Sequence, residues 1–305
     1  MPKISLLKGV EKYLTEKAKN NPRDNSHFHP SSWDDCKRKI AYQFYEAKGY
    51  ISVQDNAIKV SPQLERIFDN GHFVHARWQQ YLSCAAPQAV YGRWLCANPL
   101  CGLVYGTNSK LGIPRPQKCT TCDSPEFKYQ EVGFFDEETM WGGHVDAIVD
   151  VRKWNEAIVG RLNPQNSDEI ADEIADEMIA VNVFQYPDED DSIAILDYKS
   201  MNPFDFKKLD KPKSEHITQI QIYMYLSGLK YSKFIYEDKS NQSVKEFLVE
   251  RDDNLLQVKI NEAKELKYVV LNMKSSGKRA LPDRGYREKS HKKCLRCKYR
   301  GHCWK

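Results

Sequence analysis

The placement of nine cysteines constrains this 305-residue chain more than any other feature. Cys96 and Cys101 are separated by four residues, Cys119 and Cys122 by two, and 17 residues lie between the pairs. This is close to the spacing with which two knuckles close around one tetrahedral zinc. The surrounding stretch from Val90 to Glu131 is cut into short pieces by glycine and proline, so a metal would stand in there for a missing hydrophobic core. Cys294, Cys297 and Cys303 form a second group near the C-terminus and leave a four-ligand site one ligand short. Cys36, Cys84, His291 and His302 are the candidates for the fourth place. A distant cysteine completing three local ones suits either a four-iron cluster or zinc, since both accept four thiolates. Cys84 reads most simply as a buried or partly buried single thiol.

Thiols are read as ligands rather than disulfides because the chain is expected to be cytoplasmic. No apolar run approaches a membrane span, and Met1 to Lys17 is too charged for a signal peptide. With 41% hydrophobic and 29% charged residues the composition is that of a globular protein, not a disordered or fibrous one. The charge is unevenly spread. Lys and Arg number 46 against 42 acids, yet ten acids fall within residues 163–192 with no Lys or Arg among them, so the remainder carries +14. Met273 to Lys305 alone holds twelve Lys or Arg and two acids. A basic body of this kind suits a polyanionic partner. The acidic stretch, with its near-repeat Asp-Glu-Ile-Ala at 168–171 and 172–175, reads as a solvated loop or as a gate over the basic surface.

Helices are predicted from the Ser31–Asp35 cap region to Gly49, from about Pro62 to Tyr81, from His216 to Leu229 and from Glu262 to Asn272. Strands are predicted over Glu131–Phe135, Gly143–Val151 and Ile193–Lys199. The expected class is α/β, divided into an N-terminal helical part (1–89), a zinc-ribbon-like insertion (90–130), a core (131–272) interrupted by the acidic stretch, and a basic tail (273–305). In the strand ending Asp197-Tyr198-Lys199, period-two geometry places Asp197 and Lys199 on one face and Tyr198 on the other. Asp146 follows Gly-Gly-His-Val in a neighbouring predicted strand. Two carboxylates from adjacent strands can hold a hard divalent cation, and a lysine beside them can orient or deprotonate a water, which is what phosphodiester hydrolysis requires.

Gly71 with His75, Glu131, Gly-Gly-His-Val-Asp146, Leu-Asp197-Tyr-Lys199-Ser and Gln219-Ile-Gln-Ile-Tyr223 follow one another in an order that resembles the PD-(D/E)XK nucleases, in particular their RecB-like exonuclease branch. Cys36 with Cys294, Cys297 and Cys303 resembles the iron-sulfur version of that branch, which includes AddB and the CRISPR-associated adaptation nucleases. The resemblance implies a restriction-endonuclease-like core, a mixed central sheet flanked by helices, with the zinc-ribbon-like module inserted. It implies that His75, Asp146, Asp197 and the Tyr198 carbonyl bind Mg2+ or Mn2+, that Lys199 acts on the water, and that Glu131 is an outer acid. Gln219 and Tyr223, four apart on a helix, would position the strand or the lysine, although Gln221 and Tyr225 offer the same spacing. The four thiols of Cys36, Cys294, Cys297 and Cys303 would hold a 4Fe-4S cluster, and Cys96, Cys101, Cys119 and Cys122 a zinc. The implied activity is a divalent-metal-dependent deoxyribonuclease, an exonuclease on single strands or DNA ends, in repair, recombination or phage DNA metabolism. Without a Walker A pattern the chain has no motor, so a helicase or recombinase partner is expected for duplex substrates. The alternative is a non-catalytic iron-sulfur and zinc module that binds nucleic acid.

Overall fold

The computed structural model describes residues 6–20, 23–53, 61–162, 192–272 and 280–304. The acidic stretch 163–192, with the loop or gate read into it, lies outside them except for Ser192. The chain forms two compact units.

One unit, Val74–Phe134 with Gly143–Asp252, carries a mixed sheet flanked by helices. Its strands in chain order are β1 (Val90–Cys96), β2 (Val104–Tyr105), β3 (Ile113–Pro114), β4 (Phe127–Gln130), β5 (Val132–Phe135), β6 (Gly142–Val145), β7 (Ala147–Asp150), β8 (Ile193–Met201), β9 (Tyr231–Asp238) and β10 (Val244–Glu250). The sheet runs β10-β9-β8-β7-β1-β2, with β3 and β4 also on β1, while β5 and β6 pair as a separate ribbon. Only β8 and β9 run parallel among these pairs. A parallel pair cannot be joined by a hairpin, and the crossover between them contains two helices, Pro203–Lys207 and Ser214–Ser227. β8 is buried along most of its length, as its apolar run Ile-Ala-Ile-Leu predicts for a central strand. Ala194, Leu196 and Tyr198 from its inward face pack with Val90, Trp94, Ala147, Val149, Tyr231 and Ile235 into one apolar core.

The other unit comprises Met1–Phe73, Phe135–Gly142 and Asp253–Lys305. In chain order the helices of the whole chain are α1 (Leu6–Asn20), α2 (Lys37–Ala47), α3 (Pro62–Ala85), α4 (Val151–Leu162), α5 (Pro203–Lys207), α6 (Ser214–Ser227), α7 (Asp253–Leu271), α8 (Lys292–Leu295) and α9 (Arg300–Cys303) among the described residues. The aromatic nucleus of this second unit is Phe28, Trp33, Phe44 and Trp141, all buried. Trp33 meets Trp141 edge-on at 5.3 Å, an arrangement the ring quadrupoles favour. The C-terminal segment is stitched to α2, since Tyr299 stacks on Tyr42 at 5.5 Å and donates to Glu46 at 2.6 Å, and it is tied to itself where Arg284 donates to the Cys303 carbonyl at 3.1 Å.

Several predicted boundaries shift. The helix expected from Ser31 is interrupted: Pro30–Ser32 makes a single 3-10 turn and α2 starts at Lys37, so Cys36 is its N-cap rather than a residue of its first turns. The strand expected over Gly143–Val151 breaks at Asp146 into β6 and β7, and Val151 already opens α4. In α3, Val74 and Leu82 are buried as its periodicity predicts, whereas Leu64, Ile67 and Phe68 are exposed. Cys84 is exposed, not buried. The segment from Val90 contributes β1 to the main sheet, through Val90↔Val149 and Tyr91↔Ile148. No helix among the described residues is long and apolar enough to cross a membrane.

Candidate functional site

The residues that the sequence singled out in the sheet-bearing unit converge at the break between β6 and β7. The β7–β8 ladder ends at the Ala147–Leu196 pair, so Asp146 stands just past it, where Asp197 continues β8. The Asp146 carboxylate accepts the Tyr198 backbone N–H at 2.8 Å and faces His75 Nδ1 on α3 at 3.2 Å. Ligand atoms of His75, Glu131 and Asp146 all lie within 4.8 Å of one another, a donor set able to hold one cation. Lys199 Nζ is 2.6 Å from Asp197 Oδ1 and donates to Gln219 Oε1 at 3.2 Å, while the Gln219 amide donates to Asp197 Oδ2 at 3.2 Å. Tyr198 points to the opposite side of β8, fully buried and stacked on Trp78 at 5.9 Å. The alternation of β8 thus separates a reactive face from a core face.

Helix α6 gives different neighbours to the two glutamines that spacing left equivalent. Gln219 faces Asp197 and Lys199, whereas Gln221 bonds to the Glu250 carbonyl at 2.6 Å and accepts the Asp252 N–H at 2.7 Å, closing the end of β10. Tyr223 lies over Gly143: a Cβ there would stand 2.6 Å from the Tyr223 hydroxyl, so only glycine permits the approach. One turn before Gln219, His216 Nδ1 shares a hydrogen bond of 2.7 Å with the hydroxyl of Tyr236, which itself accepts the Lys213 N–H. Burial and then the Lys199 charge push His216 down to about 4, in keeping with a neutral ring.

The electrostatics are those of crowded carboxylates. Burial, reinforced by the Asp146 charge, pushes Glu131 up to about 7. Asp197 is raised by burial and by Asp146, against the opposing pull of Lys199. Burial acts the same way on Asp146, but the His75 hydrogen bond and the His75 and Lys199 charges outweigh it and hold this carboxyl below the ordinary range. A divalent cation would relieve the repulsion among these groups, and their chemistry fits Mg2+ or Mn2+.

Sequence reasoning overlooked Gln79. Its amide donates to Glu131 at 3.1 Å and to the Asp146 carbonyl at 2.9 Å, tying both acids to α3. The signal was available, since Gln79 stands four residues after His75 on one helical face. Glu237 on β9 was overlooked as well: buried, it accepts from Arg77 at 2.5 Å and from Trp78 Nε1 at 2.8 Å, anchoring the turn of α3 between His75 and Gln79.

The two cysteine groups differ in how closely they gather. In the sheet-bearing unit Cys96 Sγ is 3.5 Å from Cys122 Sγ, and Cys101 Sγ is 3.6 Å from Cys119 Sγ. All four sulfurs fit within 4.8 Å, as four thiolates about 2.3 Å from one tetrahedral zinc must. The Tyr105 hydroxyl donates to Cys119 at 3.4 Å and lowers that thiol's pKa, which favours the ligand form. In the other unit Cys36, Cys294, Cys297 and Cys303 line one cavity of about 440 Å³, together with Arg38, Lys39, Arg296 and Arg300. These four sulfurs do not form a group within 4.8 Å, unlike the first set. Of the other candidates for the fourth place, Cys84 belongs to the sheet-bearing unit and His291 stacks on Tyr286 at 3.9 Å. His302 does not line the cavity.

No protein-family model matches the chain, and no curated protein matches it. Among solved structures, the protein SSO0001 is similar over 98% of this chain and 95% of its own, with 11% identity and a TM-score of 0.40. An alkaline exonuclease from Laribacter hongkongensis is similar over 85% of this chain and 94% of its own, with 14% identity and a TM-score of 0.38. The same exonuclease in complex with dAMP gives 13% identity, 86% and 92% coverage and a TM-score of 0.37. The functional reading therefore rests on the side chains.

Proposed function

We propose that this protein is a divalent-metal-dependent deoxyribonuclease of the PD-(D/E)XK type, acting on single-stranded DNA or DNA ends in repair, recombination or phage DNA metabolism. The observation that carries the reading is the convergence of His75, Glu131 and Asp146 beside the Asp197–Lys199–Gln219 group. His75 and Asp146, with Glu131 beside them, would hold Mg2+ or Mn2+, and the family resemblance adds Asp197 and the Tyr198 carbonyl to that set, with Glu131 as its outer acid. Bound there, the ion would supply charge neutralisation at the scissile phosphate and a more acidic water. Lys199, held by Asp197 and Gln219, would orient an attacking water and favour its deprotonation. Gln219 fixes both partners of the ion pair, and Tyr223 closes on Gly143 beside them.

The two thiol sets support different metals. The compact one matches a single zinc. The wider one, spread around a cavity with cationic walls, suits a larger anionic group such as a 4Fe-4S cluster. Through Cys36 at the start of α2 and three cysteines near the C-terminus, that cluster would tie distant parts of one unit together. A separate helicase or recombinase would deliver duplex substrate.

The test is incubation of anaerobically prepared protein with Mn2+ and end-labelled linear or covalently closed single-stranded DNA, alongside Lys199→Ala. Loss of the linear species alone, abolished by the substitution, is expected. Intact DNA with both proteins would overturn the nuclease reading and leave a nucleic-acid-binding module.

A further inference from the structure

The strand that carries Asp197 and Lys199 leads directly into a segment whose surface the reaction does not use. After Met201 the chain turns through α5 and reaches α6 at Ser214. This segment is firmly built. Asn202 caps α5 by accepting the Asp205 N–H at 2.9 Å, and Phe206 and Leu209 are buried. Lys245 on β10 donates to the carbonyls of both, at 2.9 and 2.8 Å. The anchors make what remains outside conspicuous: Phe204 is 68% exposed on this rigid support, although it belongs to a residue type that buries well over half its surface when packing is its role.

The charges around it are complementary to phosphate. Lys208 Nζ caps the Phe204 ring 3.9 Å from its centroid. Lys207 and Lys211 are exposed and make no ion pair among the described residues. Lys213 faces Asp205 at 3.6 Å, and Asp210 is the other acid of the segment. An exposed aromatic ring with one face capped by a cation, beside further free cations, is the combination that binds unpaired strands: every base offers a π-face for stacking, and the lysines follow the backbone. Within a duplex each internal base is already stacked on both faces and only the outer face of the terminal pair is open, whereas a protein offers no base at all. Phe204 is five positions after Lys199, so at full extension their Cα atoms are at most about 17 Å apart. The platform is therefore within a few nucleotides of the proposed reaction centre.

We infer that Phe204, with Lys207, Lys208 and Lys211, forms a stacking platform for a base of single-stranded nucleic acid next to the reactive face of β8. This deepens the nuclease reading and, for its place along the substrate, rests on it. It assigns the substrate class as an unpaired strand.

The test measures binding of a fluorescein-labelled oligothymidylate to the full-length protein in EDTA, where no cleavage occurs, by anisotropy across a salt series. Phe204→Ala is expected to weaken binding about tenfold, and Phe204→Trp to retain it. A Lys207→Ala/Lys211→Ala double variant is expected to reduce the salt slope by about one to two. Affinity for a blunt duplex of equal length is expected to change less than twofold in Phe204→Ala. Equal single-strand affinity of wild type and Phe204→Ala overturns the inference, as does an equal loss on single strand and duplex. Thermal melts of the variants matching wild type show that the affinity change is not unfolding, as expected for a side chain 68% exposed. Because the assay is metal-free, its result is independent of the cleavage assay with Lys199→Ala. A catalytically silent protein whose single-strand binding still depends on Phe204 would lose the nuclease reading and keep the platform.

Discussion

Gln79 illustrates how a neutral side chain can organise a charged site. One amide group donates to both the Glu131 carboxylate and the Asp146 carbonyl, and so sets the spacing of two acids that repel each other. Gln79→Leu removes these donors at nearly constant volume. Its expected effect is a 10- to 100-fold loss of Mn2+ affinity, the usual cost of removing a partner that orients a metal ligand, measured by calorimetry on the folded variant. Unchanged affinity would show that the acids hold their places unaided. The sequence showed Gln79 on the face of His75 but not its role, because an amide on a helix surface is ordinarily solvated. Only the tertiary arrangement reveals two acceptors in front of it. Asp197 and Lys199 were legible earlier, since strand alternation alone puts them on one face.

At the scale of elements, α3 and the β6–β7 break decide where the donors stand. Helix α3 brings His75 and Gln79 to one side of the sheet and is fixed there by Glu237, which takes hydrogen bonds from Arg77 and Trp78. Glu237→Gln leaves Arg77 facing a neutral amide. The expected loss is about 2 kcal/mol of stability by urea unfolding, the size of a charged hydrogen bond at a buried acceptor. Glu246→Gln, which disrupts the more exposed ion pair with Lys233, is expected to cost less than about 1 kcal/mol in the same measurement. A reversed order would remove the anchoring role. The break at Asp146 was not readable from hydropathy. The apolar alternation Val145, Ala147, Val149, Val151 is continuous in sequence, and the pattern carries no information on where the ladder partner changes. Likewise Val90–Cys96 is too close to the glycine-rich cysteine stretch to look like sheet, and only pairing with β7 makes it part of the core.

Across the whole molecule, the two thiol sets lie in different compact units, one as a tight four-sulfur group and the other around a single cavity. Cys297→Ser is therefore expected to remove iron and its visible absorbance while about one zinc per chain remains, and Cys119→Ser to do the reverse, by elemental analysis of anaerobically purified protein. Joint loss of both metals from either variant would contradict independent sites. The cysteine spacings, the charge imbalance and the alternation around Asp197 were all visible in one dimension, because local geometry dictates knuckles and strand faces whatever the remainder of the chain does. Which distant residue shares a cavity with the C-terminal three was not decided that way. Cys36, Cys84, His291 and His302 are chemically eligible alike, and only folding distinguishes the thiol that lines the cavity from those that do not. The same holds for Gln219 over Gln221, which are equivalent in spacing and separated only by which neighbour each meets. Local pattern sets what a residue can do, but long-range packing chooses its partner, because contacts between residues far apart in sequence depend on the closure of the whole fold.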